Sequence, residues 1–324
     1  MAADHNEAMS LTASTTPSTT GALQGAVRLA DWGLITATGA DAASFLHGQL
    51  TQDVTGLDER HARLAGYCSA KGRLLASFVA WRSSPEQILL ACSADLLAPT
   101  LKRLSMYVLR AKCKMADASA DMALYGLAGA AAAEWLGADA TASVWSVSRR
   151  GDAHVIRLPD ATSTARWLLV QPAAAAAPEL PALDADTWRW LEVRSGVARI
   201  VAATSEQFVP QMVNLELVGG VNFQKGCYPG QEIVARSQYR GTLKRRMQLL
   251  DASGPVAPGQ DVIHSADPGQ PAGMVVLAAP GPDGRWSALA ELKLGALGEP
   301  GELRSGDALL SPRVLPYAIP AEAT

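Results

Sequence analysis

The segment Lys225-Gly226-Cys227-Tyr228-Pro229-Gly230-Gln231-Glu232 sets one thiol between two glycines and beside a lysine. Pro229 suits a first helical position, and Gln231, Glu232, Ile233, Val234 and Ala235 can carry the helix for one or two turns. Cys227 would then sit where unpaired backbone N–H groups and the helix dipole favour an anion, with Lys225 nearby. Those conditions acidify a thiol and expose a thiolate. Gly226 and Gly230 can let backbone approach a ligand closely or adopt φ > 0. The same residues also fit a plain turn around a small buried cysteine.

Six basic residues, Lys225, Arg236, Arg240, Lys244, Arg245 and Arg246, share this stretch with one acid, Glu232. Such a patch can receive carboxylates or phosphates, and Tyr228 or Tyr239 can stack on a flat ring. It can equally face water or pair locally. Glu192 is the other candidate, set among Leu191, Val193 and Val197 on a half-buried helix where a carboxylate needs partners. Those partners are a ligand's N–H groups, or Arg189 or Arg194. Asn214 and Gln207 can add polar contacts. His47 ends an apolar helix and reads as structural. Cys68, Cys92 and Cys113 lie in or beside apolar runs and read as core.

The elements that must position these groups are legible in outline. Asp41 predicts a helix to about Leu50, and Leu96 to Val108 predicts a second with one apolar face. Ala65–Ser69, Leu74–Trp81 and Gln87–Cys92 read as strands, with Lys71-Gly72 as a hairpin turn. A second strand-and-helix group runs from Ala123 to Val170, and a helix is expected from Asp186 to about Gly196. Strands mixed with helices, without a repeating βαβ rhythm, predict an α+β fold. After Arg246, glycine and proline punctuate short apolar runs at 247–251, 273–278, 286–292 and 308–314. Regular turns between short strands predict a small all-β barrel or sandwich.

The chain has 324 residues, 48% hydrophobic and 18% charged, with a net charge of −3. This is globular composition, with no apolar run long enough to span a bilayer, and the acidity argues against a whole-protein nucleic-acid binder. Four scattered cysteines and five scattered histidines suggest neither a disulfide scaffold nor a zinc or cluster site, and they fit a reducing, cytoplasmic compartment. Residues 1–25, rich in Ala, Ser and Thr, read as a disordered tail rather than a signal or transit peptide.

The octapeptide around Cys227 resembles that of the YgfZ family, folate-binding proteins related to the glycine-cleavage T-protein (GcvT, an aminomethyltransferase) and linked to iron–sulfur protein maturation. Trp190-Leu191-Glu192-Val193-Arg194-Ser195-Gly196 and Phe208-Val209-Pro210-Gln211-Met212-Val213-Asn214-Leu215-Glu216 resemble further family segments. So do Gly219 through Arg236 and Arg240 through Arg245, and weaker echoes lie at Phe45–Val54, Lys71–Arg73 and Tyr107–Lys112. The resemblance implies a T-protein-like α+β fold with a C-terminal barrel at 247–324. It divides the folate-binding region, 26–246, into two lobes, roughly 26–114 with 186–246, and 115–185. It also implies a tetrahydrofolate or reduced one-carbon folate held by Glu192, Asn214, Lys225, Gly226, Tyr228, Gly230, Gln231, Glu232, Arg236 and Arg240. In this reading the Lys225–Glu232 loop and Glu192 line one central pocket, and Cys227 is the working thiol.

Three functions follow. The first is a folate-binding accessory protein for the assembly or repair of iron–sulfur enzymes, including tRNA-modifying ones, with those enzymes or their assembly machinery as partners. The second is a folate-dependent aminomethyltransferase. Against it, Asp95 falls about three residues early for that enzyme's acid–base aspartate, its Gly-Tyr-Thr-Gly-Glu-like segment is absent, and the Gly-Cys-Tyr setting is foreign to it. The third is a tRNA-binding module, against which the net acidity and the confinement of the basic patch both argue.

Overall fold

The computed structural model describes residues 23–239 and 243–320. The expected tail lies outside the described residues up to residue 22, and so does Arg240. Two five-stranded antiparallel sheets and a closed six-stranded barrel make up the fold, an α+β architecture with the barrel at its C-terminal end.

The first sheet holds β2 (Trp32–Thr38), β3 (Ala62–Cys68), β4 (Leu74–Ser84), β5 (Gln87–Ser93) and β6 (Lys114–Asp117), in the order β3-β4-β5-β2-β6. Its central strands are apolar almost throughout, because both faces are covered. One face packs against α1 (Ala42–His47), α2 (Ala94–Met106), the 208–221 segment and the barrel. The other packs against the second sheet, built from β7 (Met122–Ala128), β8 (Val147–Arg150), β9 (Ala153–Ala161) and β10 (Thr164–Pro172). Its edge strand, β1 (Gly25–Arg28), comes from the start of the chain and pairs with β7. The outer face is closed by α3 (Gly129–Leu136).

The helix α4 (Ala185–Arg194) joins the units. Asp184 caps it, its carboxylate accepting from Thr187 N–H at 2.9 Å. Trp188 packs between the sheets against Gly126, where a Cβ would lie 2.5 Å from the indole, so only glycine fits there. On the barrel side, Trp190 Nε1 donates to Ser287 Oγ at 3.0 Å and Arg194 pairs with Asp251 at 2.9 Å. The barrel runs β11 (Arg245–Ala252), β14 (Trp286–Lys293), β13 (Asp267–Pro280), β12 (Asp261–His264), β15 (Leu303–Ser305), β16 (Ala308–Arg313). The strands β12 and β15 escape the sequence reading because each has only three or four residues, too few for an alternating pattern.

The seam between the sheets carries a pH-sensitive contact. His154 on β9 lies against Trp81 on β4, buried, its ring centroid 6.1 Å away. Burial, helped by the Arg149 charge, pushes its pKa down to about 4. An unfolded histidine titrates near 6.5 and the native one much lower, so its contribution is whole above pH 6.5 and is lost as pH falls towards 4. We expect about 3 kcal/mol of stability to disappear across that window through His154. Urea unfolding of His154→Leu between pH 7 and 4 should show a shallower decline than wild type. Parallel declines would exclude this histidine as the cause.

Candidate functional site

Two cavities meet at Glu192. The first is a slot of ≈ 40 Å³ between the sheets, walled by Trp32, Phe78, Trp145, Leu158 and Trp188 and carrying Arg166, Glu192 and Arg199. Trp188, Glu192 and Ser195 reach it together because residues four and three apart share one helical face. The second is an open cleft of ≈ 480 Å³ between the first sheet, α4 and the barrel, lined by Asp31, Asp95, Arg189, Glu192, Arg199 and Leu277 among others.

Glu192 is buried and held by Arg199, neither by Arg189 nor by Arg194 as the local sequence suggested. The guanidinium grips it at two points, Nε to Oε1 at 2.7 Å and Nη2 to Oε2 at 3.1 Å. Arg189 and Arg194 point away, to Asp31 and Asp186 and to Asp251 respectively. Arg199 also reaches Asp31 Oδ2 at 3.1 Å and Ser93 Oγ at 2.9 Å, and lies over the Trp32 ring. Burial alone would lower its pKa, but Glu192 and Asp31 outweigh burial and raise it. The Asp31 carboxyl is lowered in return, Arg199 and Arg189 overcoming its burial.

Arg166, on β10, is 2% exposed and sits over the Trp188 ring. Its Nε and Nη2 donate to Pro159 O at 3.1 and 3.0 Å, while its Nη1 is buried with no partner among the described residues. Burial pulls its pKa down to about 10. The indole N–H groups of Trp32 and Trp188 are also buried and unpaired among the described residues. So one charged acceptor and three unmatched donors belong to residues that line one apolar slot. The sequence reading passed over Trp32, Arg166 and Arg199. The usable signal was the one applied to Glu192, a charge set in an apolar run, as in Ala165-Arg166-Trp167-Leu168 and Ala198-Arg199-Ile200.

The Lys225–Glu232 loop lines neither of these two cavities. The helix α5 spans Gln231–Tyr239 and begins after Pro229, because Gly230 turns the chain with φ +78°. Cys227 therefore lies outside the first turn, where the dipole acts. Gly230 serves packing. A Cβ there would lie 2.4 Å from Ser69 O and 2.6 Å from Gly72 Cα, so the glycine seats α5 on the β3–β4 turn.

Lys225 Nζ donates to Leu50 O at 2.8 Å and to His47 O, satisfying carbonyls at the end of α1. Burial lowers its pKa to about 8, against the opposing charges of Asp53 and Cys227. The ammonium also lies 4.7 Å above the Tyr228 ring, which is buried and so offers no free face for stacking. Asn214 is fully buried, its amide donating to Met247 O at 2.9 Å and Tyr317 Oη at 3.3 Å, which makes it a tie between this segment and the barrel.

Of the remaining candidates, Cys227, Gly226, Glu232 and Arg236 are exposed and Gln231 is half-buried. Half of the basic patch is committed elsewhere, Lys225 to carbonyls, Arg245 to Glu291 and Arg246 to Glu216, while Arg236 and Lys244 are exposed. His47 does more than fill space. Its Nδ1 is 2.9 Å from Asp53 Oδ1, and a Cβ on Gly226 would lie 3.7 Å from its Nε2, so the imidazole borders the thiol loop. Burial would raise the Asp53 pKa, but bonds from Gly56 N–H, Thr55 and His47 bring it down to about 2.

No family model matches the chain. Its structure is similar to the glycine cleavage system aminomethyltransferase T from Bartonella henselae. The TM-score is 0.74 at 19% identity, over 92% of this chain and 87% of that one. A heterotetrameric sarcosine oxidase from Corynebacterium sp. U-96, in complex with pyrrole 2-carboxylate, gives a TM-score of 0.34 at 16% identity, over 48% and 82%. The second likeness is too weak to carry an argument. The first shows the fold: this chain has the T-protein-like architecture, mixed α+β with a closed C-terminal barrel.

Proposed function

We propose that this protein is a folate-binding accessory factor that supports assembly or repair of iron–sulfur enzymes, tRNA-modifying ones included, in the cytoplasm. The observation that carries the folate reading is the slot at Glu192, where a buried carboxylate and unmatched donors belong to residues that line one aromatic-walled cavity. A pterin edge carries both N–H groups and an oxygen, and so matches both kinds of partner. The T-protein-like fold supports the same reading. Glu192, Arg166, Trp32 and Trp188 would hold the ring. Arg189 on the cleft wall would meet a glutamate tail with the donor it does not give to Asp31 or Asp186. When bound, a reduced folate supplies a carrier for one-carbon units.

A slot of ≈ 40 Å³ has room for one or two waters, so a ring enters by displacing a wall. Trp145 is the suited wall, half-buried and held at φ 69°, a conformation that bulky residues rarely adopt. In the same proposal the exposed Cys227, on a loop bordered by the His47 imidazole, would deal with the iron–sulfur client.

Anaerobic calorimetry with tetrahydrofolate tests the ligand. Glu192→Gln should weaken binding by about 1–3 kcal/mol, the usual cost of spoiling a charge-assisted hydrogen bond. The variant keeps its fold because Arg199 retains Asp31. Unchanged affinity would move the ring away from Glu192, and absence of binding by the wild type would end the folate reading.

A further inference from the structure

Donors and acceptors around the slot are not interchangeable. Glu192 accepts, and after Arg199 has taken one lone pair from each oxygen the carboxylate can still receive a ligand's N–H groups. Arg166 can only donate. Two of its nitrogens are fixed on Pro159 O, which locks the guanidinium plane and leaves Nη1 as the free donor. No proton movement can turn that nitrogen into an acceptor. A buried donor that meets another donor stays unsatisfied at high cost, and sites of this kind discriminate far more strongly than apolar contacts do.

Resting on the folate reading, we infer that Arg166 is the specificity-determining residue of the slot: its free Nη1 selects a ring that presents an oxo group beside the N–H edge read by Glu192, and rejects the same ring with an amino group in that place. A 2-amino-4-oxo pterin offers its ring N–H and amino group to a carboxylate, with the 4-oxygen alongside. In the 2,4-diamino ring the oxygen is replaced by a donor. The carboxylate alone does not decide, because the diamino ring can gain a proton on N1 and turn that edge to Glu192; the group then alongside is the N8–H of the reduced ring, again a donor towards Arg166. The choice falls to Arg166. Its position over Trp188, with the Trp32 and Trp188 N–H groups also unmatched, makes the surroundings short of acceptors throughout.

The test compares tetrahydrofolate with tetrahydroaminopterin, its 4-amino counterpart, by anaerobic calorimetry on the full chain. Wild type should prefer the oxo compound by about 100-fold or more. Arg166→Met keeps the aliphatic stem over Trp188 and removes the donors, and its preference should fall to within a few-fold. Arg166→Lys, which restores a donor without the fork, should recover part of it. Should Arg166→Met fail to fold, the wild-type ratio and the Arg166→Lys ratio still decide. Equal binding of both compounds by wild type overturns the inference and leaves the folate reading standing. A preference that survives intact in Arg166→Met also overturns it. If neither compound binds and the slot holds only water, the folate reading falls and this inference with it.

Discussion

Arg199→Met should destabilise the protein by about 3–5 kcal/mol, the cost of breaking a buried ion pair from one side. The guanidinium ties four groups together: both Glu192 oxygens, Asp31 and Ser93 Oγ. Without it the Glu192 carboxyl is left in the core with Arg166 as the remaining basic group in the slot. Asp31 is less affected, because Arg189 still holds it at 3.3 Å. The lesion should be repaired by removing the orphaned charge. Arg199→Met with Glu192→Leu replaces the pair by apolar groups of similar volume, and such replacements are often neutral or stabilising. Urea unfolding of the two single variants and the double variant measures this directly. If Arg199→Met lies within about 1 kcal/mol of wild type, or the double variant is no better than the single, the pair is not what holds α4 to the first sheet.

Thiol labelling at pH 8 should separate Cys227 from Cys68 and Cys92 by at least about 1000-fold in rate. Burial pushes both core thiols up to about 12. At pH 8 that leaves a thiolate fraction of about one in ten thousand, before the loss of access is counted. Cys113 is half-buried, its pKa raised by burial and by Asp41, and should fall between. Cys227 is exposed, on a loop between Lys225 and Tyr228. Its replacement by alanine should change stability by no more than about 0.5 kcal/mol, whereas Cys68→Ala and Cys92→Ala should each cost about 1–2 kcal/mol. On the proposed function, Cys227→Ala should also abolish support of iron–sulfur enzymes in a strain lacking the protein. Slow labelling of Cys227 together with full complementation by its alanine variant would remove the thiol from the mechanism.

The elements were legible because their signals are local. Short apolar runs, helical spacing and glycine–proline punctuation act over a few residues, and they mark β4, β5, α4 and the long barrel strands from the sequence alone. Glu192 was legible for the same reason, as a charge within a short apolar helix. Its partner was not. Arg199 lies seven residues on, past the turn at Gly196, and only the folded chain closes that gap. Lys225 makes the point from the other side. Beside a thiol it reads as an anion receptor, yet its ammonium is spent on a carbonyl 175 residues earlier in the chain. Arg166 and Trp32 come from different sheets and meet at the slot through the packing of those sheets on α4. A residue's type and its near neighbours determine what it can donate, accept or bury. Which groups it meets depends on long-range packing, where the cost of an unpaired buried charge selects the partner, and that selection was made by the tertiary structure alone.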